Sequence, residues 1–505
     1  MTPLRISVSG IGPHSSVDRQ SLLVVSFANA EGNSAAAFAF CVRYFASHRR
    51  HRHTLTFDRM HRNMSKRFAL LALLAAIAST GIAPQQRPAP SGNHVVIISL
   101  DGFAGWALDD PYLPAPTLRR LAKQGATSRG MRPVNPTVTW PNHTSMVTGV
   151  TPARHGVLFN GILMRPPGGQ PRTEPWRDKN EMVRARTLYD AVHEKGMTTS
   201  QVDWVAILNA PTITWEFPER PDPKGQIARE LVETGVISEE DLAAFASKNI
   251  LYRDYIWTEA ALHILRQHRP NLLLFHLLNL DSTQHRYGPR TPAALTTMAL
   301  LDAQVAKIVQ TLEQTGLMAR TTLFVVSDHG FKTVKRQIRP NAALAKAGLP
   351  TAYVMPEGGT AMVYVTVADP SGAILGRVRQ AIEGLEGIDR VVEPAQYAEF
   401  GLPMPSANEQ MGALFLTAKD GYAFSADSSE PFVVDAPAAS LGTHGYISTE
   451  PDIRALFIAS GRGIKPGVTL DSVNTVDLAP TAARLLGVEL KDVDGRVLQE
   501  VLAGK

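Results

Sequence analysis

The sequence predicts an α/β fold: a mostly parallel sheet sandwiched by helices, with a small inserted α+β cap. Three observations carry this. Apolar runs of strand length (HVVIISL from His94, NLLLFHLLNL from Asn271, TTLFVVS from Thr321) have no polar alternation, as strands buried on both faces require. Helical patterns separate them: APTLRRLAKQGA, TLYDAVHEKG, YIWTEAALHILRQH and the long amphipathic PAALTTMALLDAQVAKIVQTLEQTG. Turn residues bound each run, and the alternation places successive strands parallel. TTSQVDWV adds another extended segment, RALFIAS a late strand, and TVDLAPTAARLLG a last helix with Asp477 near its N-cap. Residues 339–438 break the rhythm: AMVYVTVAD, then GRVRQAIEGLEG, then DRVVEPAQY and LFLTAKDGYAFS read as a small strand-helix-strand unit, the cap. A shorter polar insertion, Glu216 to Asn249, reads as a surface excursion.

Charge and leader signals come from the start of the chain. Residues 1–63 contain eight Arg against three acidic residues, a net +5 that equals the value for the whole sequence. The remainder is balanced, so the basic pI of 9.2 argues for no nucleic-acid partner. From Met64, MSKRFALLALLAAIASTGIA has a basic start, an apolar core and small residues at its end, the pattern of a secretory signal peptide. Residues 64–83 are therefore expected to be a cleaved leader. Residues 1–63 would be a non-native or disordered extension, 84–93 (PQQRPAPSGN) a Pro-rich linker, and 94–505 the catalytic domain. The only cysteine, Cys41, precedes the leader, so the exported chain would carry no thiol. No later segment is long and apolar enough for a membrane span. A periplasmic or secreted protein is expected.

Chemistry concentrates at the ends of the apolar runs. Asp101 follows VVIISL, Asp281 and His285 follow NLLLFHLLNL, Asp328 and His329 follow TTLFVVS, and His444 lies in GTHG. In an open parallel sheet the carboxyl ends of the strands share one edge, so these side chains are expected to converge. Alone, a strand-end Asp is usually a turn or capping residue. Together they form the Asp/His ligand inventory of a two-zinc hydrolase, whose ions sit roughly 4 Å apart. Asp281 and His285, four apart, fall on one face of a helical turn. Gly330 after Asp328-His329 implies a tight turn. Thr139, in PTVTWPNH, is the expected nucleophile at the start of a helix running to Gly149, with Pro141 in its first turn; Thr137 is the competing hydroxyl. His143 and His155 fit structural roles equally well.

LDGF, TWPNH, HGVLFNG, DxxxH, SDHG and GTHGY, in this order, resemble the nucleotide pyrophosphatase/phosphodiesterase branch of the alkaline phosphatase superfamily, over residues 94–505. The resemblance implies an alkaline phosphatase-like fold and two Zn²⁺, with other divalent metals as alternatives. It puts Asp101, Asp328 and His329 on one ion, bridged to Thr139, and Asp281, His285 and His444 on the other. It implies that Asn160 donates to a phosphate oxygen together with the Thr139 backbone N–H. Trp140 would stack on a base or other aromatic leaving group. His276 stands where the family usually has a Tyr packing on the nucleotide. LDSTQH stands where PDxxGH is frequent. Sulfatase chemistry is disfavoured, because no cysteine is available for formylglycine.

The reading is an exported phosphodiesterase or nucleotide pyrophosphatase, working through a phospho-threonine intermediate on a small-molecule phosphate ester or nucleotide. A phosphomonoesterase or phosphonate hydrolase on the same site is the alternative within enzymes. A non-catalytic phospho-ligand binding protein is the alternative outside them.

Overall fold

A computed structural model describes residues 92–166 and 169–504, together with three strands near the start of the chain. Those strands, Ile6–Ser9, Leu22–Ala28 and Ser34–Cys41, form an antiparallel sheet in a unit that ends at Pro88. The expected leader (64–83) and residues 84–91 of the linker lie outside the described residues. The second unit, from Ala89, carries everything below.

Its strands are β1 His94–Leu100, β2 Ala126–Ser128, β3 Thr199–Val202, β4 Trp215–Phe217, β5 Leu272–Leu277 and β6 Thr321–Val326. The inserted cap contributes β7 Ala352–Glu357, β8 Thr360–Val365, β9 Ile388–Val392 and β10 Leu414–Ala418. The chain then returns with β11 Phe457–Gly461 and β12 Val468–Leu470. Among the described residues, the main sheet has the order β4-β3-β5-β1-β6-β11-β2-β12, and within it β11 runs antiparallel to its neighbours β6 and β2.

The main helices are α1 Pro116–Gln124, α2 Thr139–Thr148, α3 Leu188–Glu194, α4 Gln226–Glu233, α5 Ile250–Gln267, α6 Asn279–Tyr287, α7 Pro292–Gln314, α8 Ala373–Ile382 and α9 Leu478–Leu486. Alternate residues of each central strand face opposite layers, as the pleat demands. Val96, Ile98, Leu273, Phe275 and Val325 pack on α1, α5 and α7; Val95, Ile97, Leu274, Phe324 and Val326 pack on α2, α3 and α9. Continuous apolar strands are what two covered faces need.

Registry sets the site. Leu100 of β1 pairs with Leu277 of β5, and Ser99 with Val326 of β6, so the three central strands end level. Two expectations change here. β5 stops at Leu277, short of Leu280, because the buried Asp254 carboxylate accepts the N–H of Leu278 (3.0 Å) and Asn279 (3.1 Å) and starts α6. Asp281 therefore stands in the first turn of a helix, not at a strand end. The segment 216–249 is also more than a surface excursion: Ile227 and Leu231 of α4, and Phe245, are buried in the main core.

The cap is richer than strand-helix-strand. β7, β8, β10 and β9 form an antiparallel sheet in that order. One face packs on α8 and the helix Pro340–Lys346 through Val354, Leu416 and Ile382. The other packs on Leu158, Phe159 and Leu163 of the body through Met362, Tyr364 and Phe415. Among the described residues, no helix is long and apolar enough to cross a membrane.

Candidate active site

The level strand ends deliver one group of ligand-type side chains, and α6 with the GTHG loop delivers a second beside it. Asp101, Asp328 and His329 offer ligand atoms that lie within 4.8 Å of one another, as do Asp281, His285 and His444. In the first group His329 Nε2 lies 3.1 Å from Asp328 Oδ2 and 3.5 Å from Asp101 Oδ1, and all three side chains are wholly buried. In the second, Asp281 Oδ1 lies 3.3 Å from His285 Nε2 and 3.6 Å from His444 Nε2. The groups adjoin, since the rings of His329 and His444 stack at 3.7 Å.

The histidines are aimed by their far nitrogens. His285 Nδ1 donates to Gly442 O (3.2 Å), His444 Nδ1 to Thr137 O (3.0 Å) and His329 Nδ1 to Gly330 O (3.3 Å). For His329 and His444, Nε2 is then a lone pair facing carboxylate oxygens, a repulsive arrangement unless a cation sits between, whereas for His285 burial is outweighed by Asp281, which raises its pKa. Consistent with this, Asp101 Oδ1, Asp281 Oδ1, Asp328 Oδ2 and His329 Nε2 are buried without a hydrogen-bond partner. Burial, and then repulsion from Asp328 and Asp281, push the Asp101 carboxyl well above its usual range. Burial lowers His329 and His444 to about 3, so both are neutral at working pH. Burial also raises the Asp281 carboxyl, but attraction from His285 outweighs it and the group stays low. The residues fit a pair of divalent cations: three carboxylates, three imidazoles, and orphaned atoms that share one space.

Thr139 is the first residue of α2 and is 6% exposed; its Oγ1 lies 3.5 Å from Asp101 Oδ2. The preceding loop is held by Asn142, whose side chain accepts from Val134 N (2.8 Å) and donates to Pro136 O (3.2 Å) and Val138 O (3.0 Å). α2 ends at Gly149 in the left-handed conformation, as the sequence indicated. Thr137 turns away: its Oγ1 donates to Tyr446 O (2.6 Å). Asn160 is exposed and its Oδ1 accepts from Trp140 N (3.0 Å), which leaves the amide NH₂ as the outward donor beside the Thr139 N–H at the helix terminus. Trp140 forms part of a groove with Pro175, Trp176, Trp204, Val205 and Ile207.

His276 is corrected. It is 1% exposed and lies beneath the site, so it is not a cleft residue for substrate. Its Nε2 meets Asp101 Oδ2 at 3.0 Å and its Nδ1 meets Asp203 O at 3.0 Å and Asp203 Oδ2 at 3.1 Å. His143 is likewise structural, with Nδ1 on Thr139 O (2.9 Å) and its ring against Trp204 and His276. The tight turn expected at Gly330 is in fact a close approach, because a Cβ there would sit 2.0 Å from Asp452 O. Sequence reasoning missed three supports: Asp254, Asn142, and Gln284, whose Nε2 donates to Gly102 O (2.8 Å).

A hydroxyl at a helix terminus, beside two groups of Asp and His side chains that could hold metal ions on the carboxyl edge of such a sheet, is the arrangement of a phosphoester hydrolase of the alkaline phosphatase-like class. The chain belongs to the type I phosphodiesterase / nucleotide pyrophosphatase family, which matches residues 95–447. Among its relatives, ectonucleotide pyrophosphatase/phosphodiesterase family member 7 of Homo sapiens is 22% identical over 441 residues, 85% of this chain and 87% of that protein. The bis(5'-adenosyl)-triphosphatase ENPP4 of Bos taurus is 20% identical over 83% of each chain. The solved structure of human ectonucleotide pyrophosphatase/phosphodiesterase 5 shares the fold, with a TM-score of 0.64 at 20% identity, over 81% of this chain and all of that one. An inactive threonine-to-alanine form of the murine counterpart, solved in complex with AMP, matches with a TM-score of 0.64 at 19% identity.

Proposed function

We propose that the protein is an exported phosphodiesterase or nucleotide pyrophosphatase that works through a covalent phospho-threonine at Thr139. The observation that carries this is the Thr139 hydroxyl at the start of α2, 3.5 Å from Asp101, with Asn160 bonded to the backbone N–H of the next residue. Asp101, Asp328 and His329 would hold one Zn²⁺, and Asp281, His285 and His444 the other. When bound, the two ions supply Lewis acidity and positive charge that lower the pKa of a nearby hydroxyl and attract a phosphate. Thr139 Oγ attacks phosphorus, the leaving alkoxide departs opposite to it, and water then cleaves the phospho-threonine with release of the phosphate monoester. The Asn160 NH₂ and the Thr139 N–H orient the non-bridging oxygens, and the positive end of the α2 dipole favours their charge. The Trp140–Trp176 groove is suited to a flat or apolar leaving group, which favours diesters over monoesters. The AMP complex of the murine relative fits this reading. The leader pattern at residues 64–83 is the basis for export.

Quenching turnover of bis-p-nitrophenyl phosphate in acid should leave a phosphoryl adduct on the peptide bearing Thr139, detected by mass spectrometry. Thr139→Ala should lose the adduct and at least about a hundredfold in rate. Near-normal turnover in that variant would refute the covalent route, and a preference for p-nitrophenyl phosphate would favour the monoesterase alternative.

A further inference from the structure

A third ligand group lies outside the cleft. Among the described residues, Glu230 of α4, His263 of α5 and His268 just beyond α5 offer ligand atoms within the same 4.8 Å that defines each half of the active site. His263 Nε2 and His268 Nε2 approach one oxygen, Glu230 Oε2, at 2.7 and 2.6 Å.

The convergence is not a by-product of helix periodicity. Positions five apart on a continuous helix point about 140° away from one another. Here His268 caps the last turn of α5, its N–H still bonded to Ile264 O (2.9 Å), and its side chain reaches the same α4 carboxylate that His263 meets from within the helix. The surroundings resemble an outer shell. Gln226 Nε2 donates to the second carboxylate oxygen, Glu230 Oε1, at 2.9 Å, and the Trp215 ring lies 4.7 Å from His268. Side-chain exposures of 25% for Glu230, 12% for His263 and 13% for His268 leave an approach from solvent while sheltering the ligand atoms.

We propose that Glu230, His263 and His268 form a third metal site, taking one divalent ion of the zinc class through two imidazole nitrogens and a carboxylate oxygen, with solvent completing the shell. Its effect is to clamp α4 onto α5. α5 carries Asp254, which caps the helix bearing Asp281 and His285, so the clamp braces the body of the protein and touches no substrate. The inference does not rest on the proposed reaction.

The test counts ions. Full-length protein is equilibrated with buffered, saturating free Zn²⁺, desalted, and its zinc per chain measured by inductively coupled plasma mass spectrometry. The wild type should hold one more ion per chain than the His263→Ala/His268→Ala variant, while diester turnover in saturating zinc stays within about twofold. Zinc should also raise the melting temperature of the wild type more than that of the variant. Equal zinc content in the two proteins would overturn the proposal, whatever the total. If the double variant does not fold, Glu230→Gln, which keeps the side-chain volume, gives the same reading: one ion fewer supports the site, an unchanged count overturns it. Failure of the covalent route at Thr139 would alter turnover and leave this difference in place.

Discussion

The two halves of the active site are built in different ways. Asp101, Asp328 and His329 come from adjacent strand ends of the central sheet, and solvent reaches none of their side chains. Asp281 and His285 come from a helix and His444 from a loop more than a hundred residues further along; the His285 side chain is 39% exposed. The deep half also has a second layer, in which His276 joins Asp101 to Asp203 and backbone N–H groups of Gly102 and His329 hold Asp328 at 3.2 and 3.0 Å. The outer half depends on the position of one helix. Strand ends fix ligands, whereas a capped helix only tethers them. The deep half should therefore hold its ion tightly and the outer half exchange it.

The largest effect should follow removal of a deep ligand. Asp101→Ala or Asp328→Ala should lower diester hydrolysis about a thousandfold, with no recovery in excess zinc, because a buried ligand set lacks a replacement from solvent. His285→Ala should cost about tenfold to a hundredfold and recover in part as zinc is raised, since water can fill an exposed position. Equal losses with equal recovery would erase the distinction between the halves. Titration of the His263→Ala/His268→Ala variant, which keeps only the active-site ligands, with a chelator should then release zinc in two phases, the first abolishing turnover while the second ion stays bound; a single phase would argue that the ions are held as one unit.

Smaller effects test the supports. Asp254→Asn keeps the side-chain volume but weakens two charge-assisted hydrogen bonds at the start of α6. It should raise the zinc requirement by roughly fivefold, in line with about 1 kcal/mol for a lost helix cap, and leave the deep half alone. The effect on activity should be smallest at His155, which anchors α2, is untouched by either half and bears on the pH dependence of stability instead. It is fully buried; its Nδ1 accepts from Val157 N (3.1 Å) and its Nε2 meets Ser145 Oγ at 3.0 Å. Burial lowers its pKa from 6.5 to about 3. The unfolded chain thus binds a proton the folded one refuses, so this stability is complete above pH 6.5 and falls as pH drops from 6.5 towards 3. His155→Asn should flatten that decline by up to about 1.4 kcal/mol per pH unit, measured by urea unfolding across the range.

The legible part of the site was the part with a local signature. Each deep carboxylate ends an apolar run, and a polar ligand type there is visible without knowing the partner strand. The DxxxH and GTHG pieces were legible for the same reason, although the helix under Asp281 was not, because the carboxylate that starts it sits on α5, far back in the chain. His276 carried a signal that went unread. A histidine inside LLLFHLL, with no break in the strand, must find buried partners for both nitrogens, and that requirement points inward to the ligands and away from the cleft. The Glu230–His263–His268 convergence depends on where α5 ends, which periodicity does not reveal. The cap sheet holds one strand more than the sequence indicated, because β7 (Ala352–Glu357) carries a Pro and a Glu at its end and pairs with β8 only across the tight Gly358-Gly359 turn.

The turn between β7 and β8 meets the GTHG loop directly: Gly359 N donates to His444 O at 2.9 Å, and a Cβ on Gly445 would sit 1.8 Å from Glu357 O. His444 is thus seated by a segment that must already be folded when it arrives. Six of the seven candidate site residues precede residue 330, yet the outer half lacks its last imidazole until the inserted segment has folded against the GTHG loop. During refolding, zinc uptake by the outer half should not precede ordering of the β7–β8 turn.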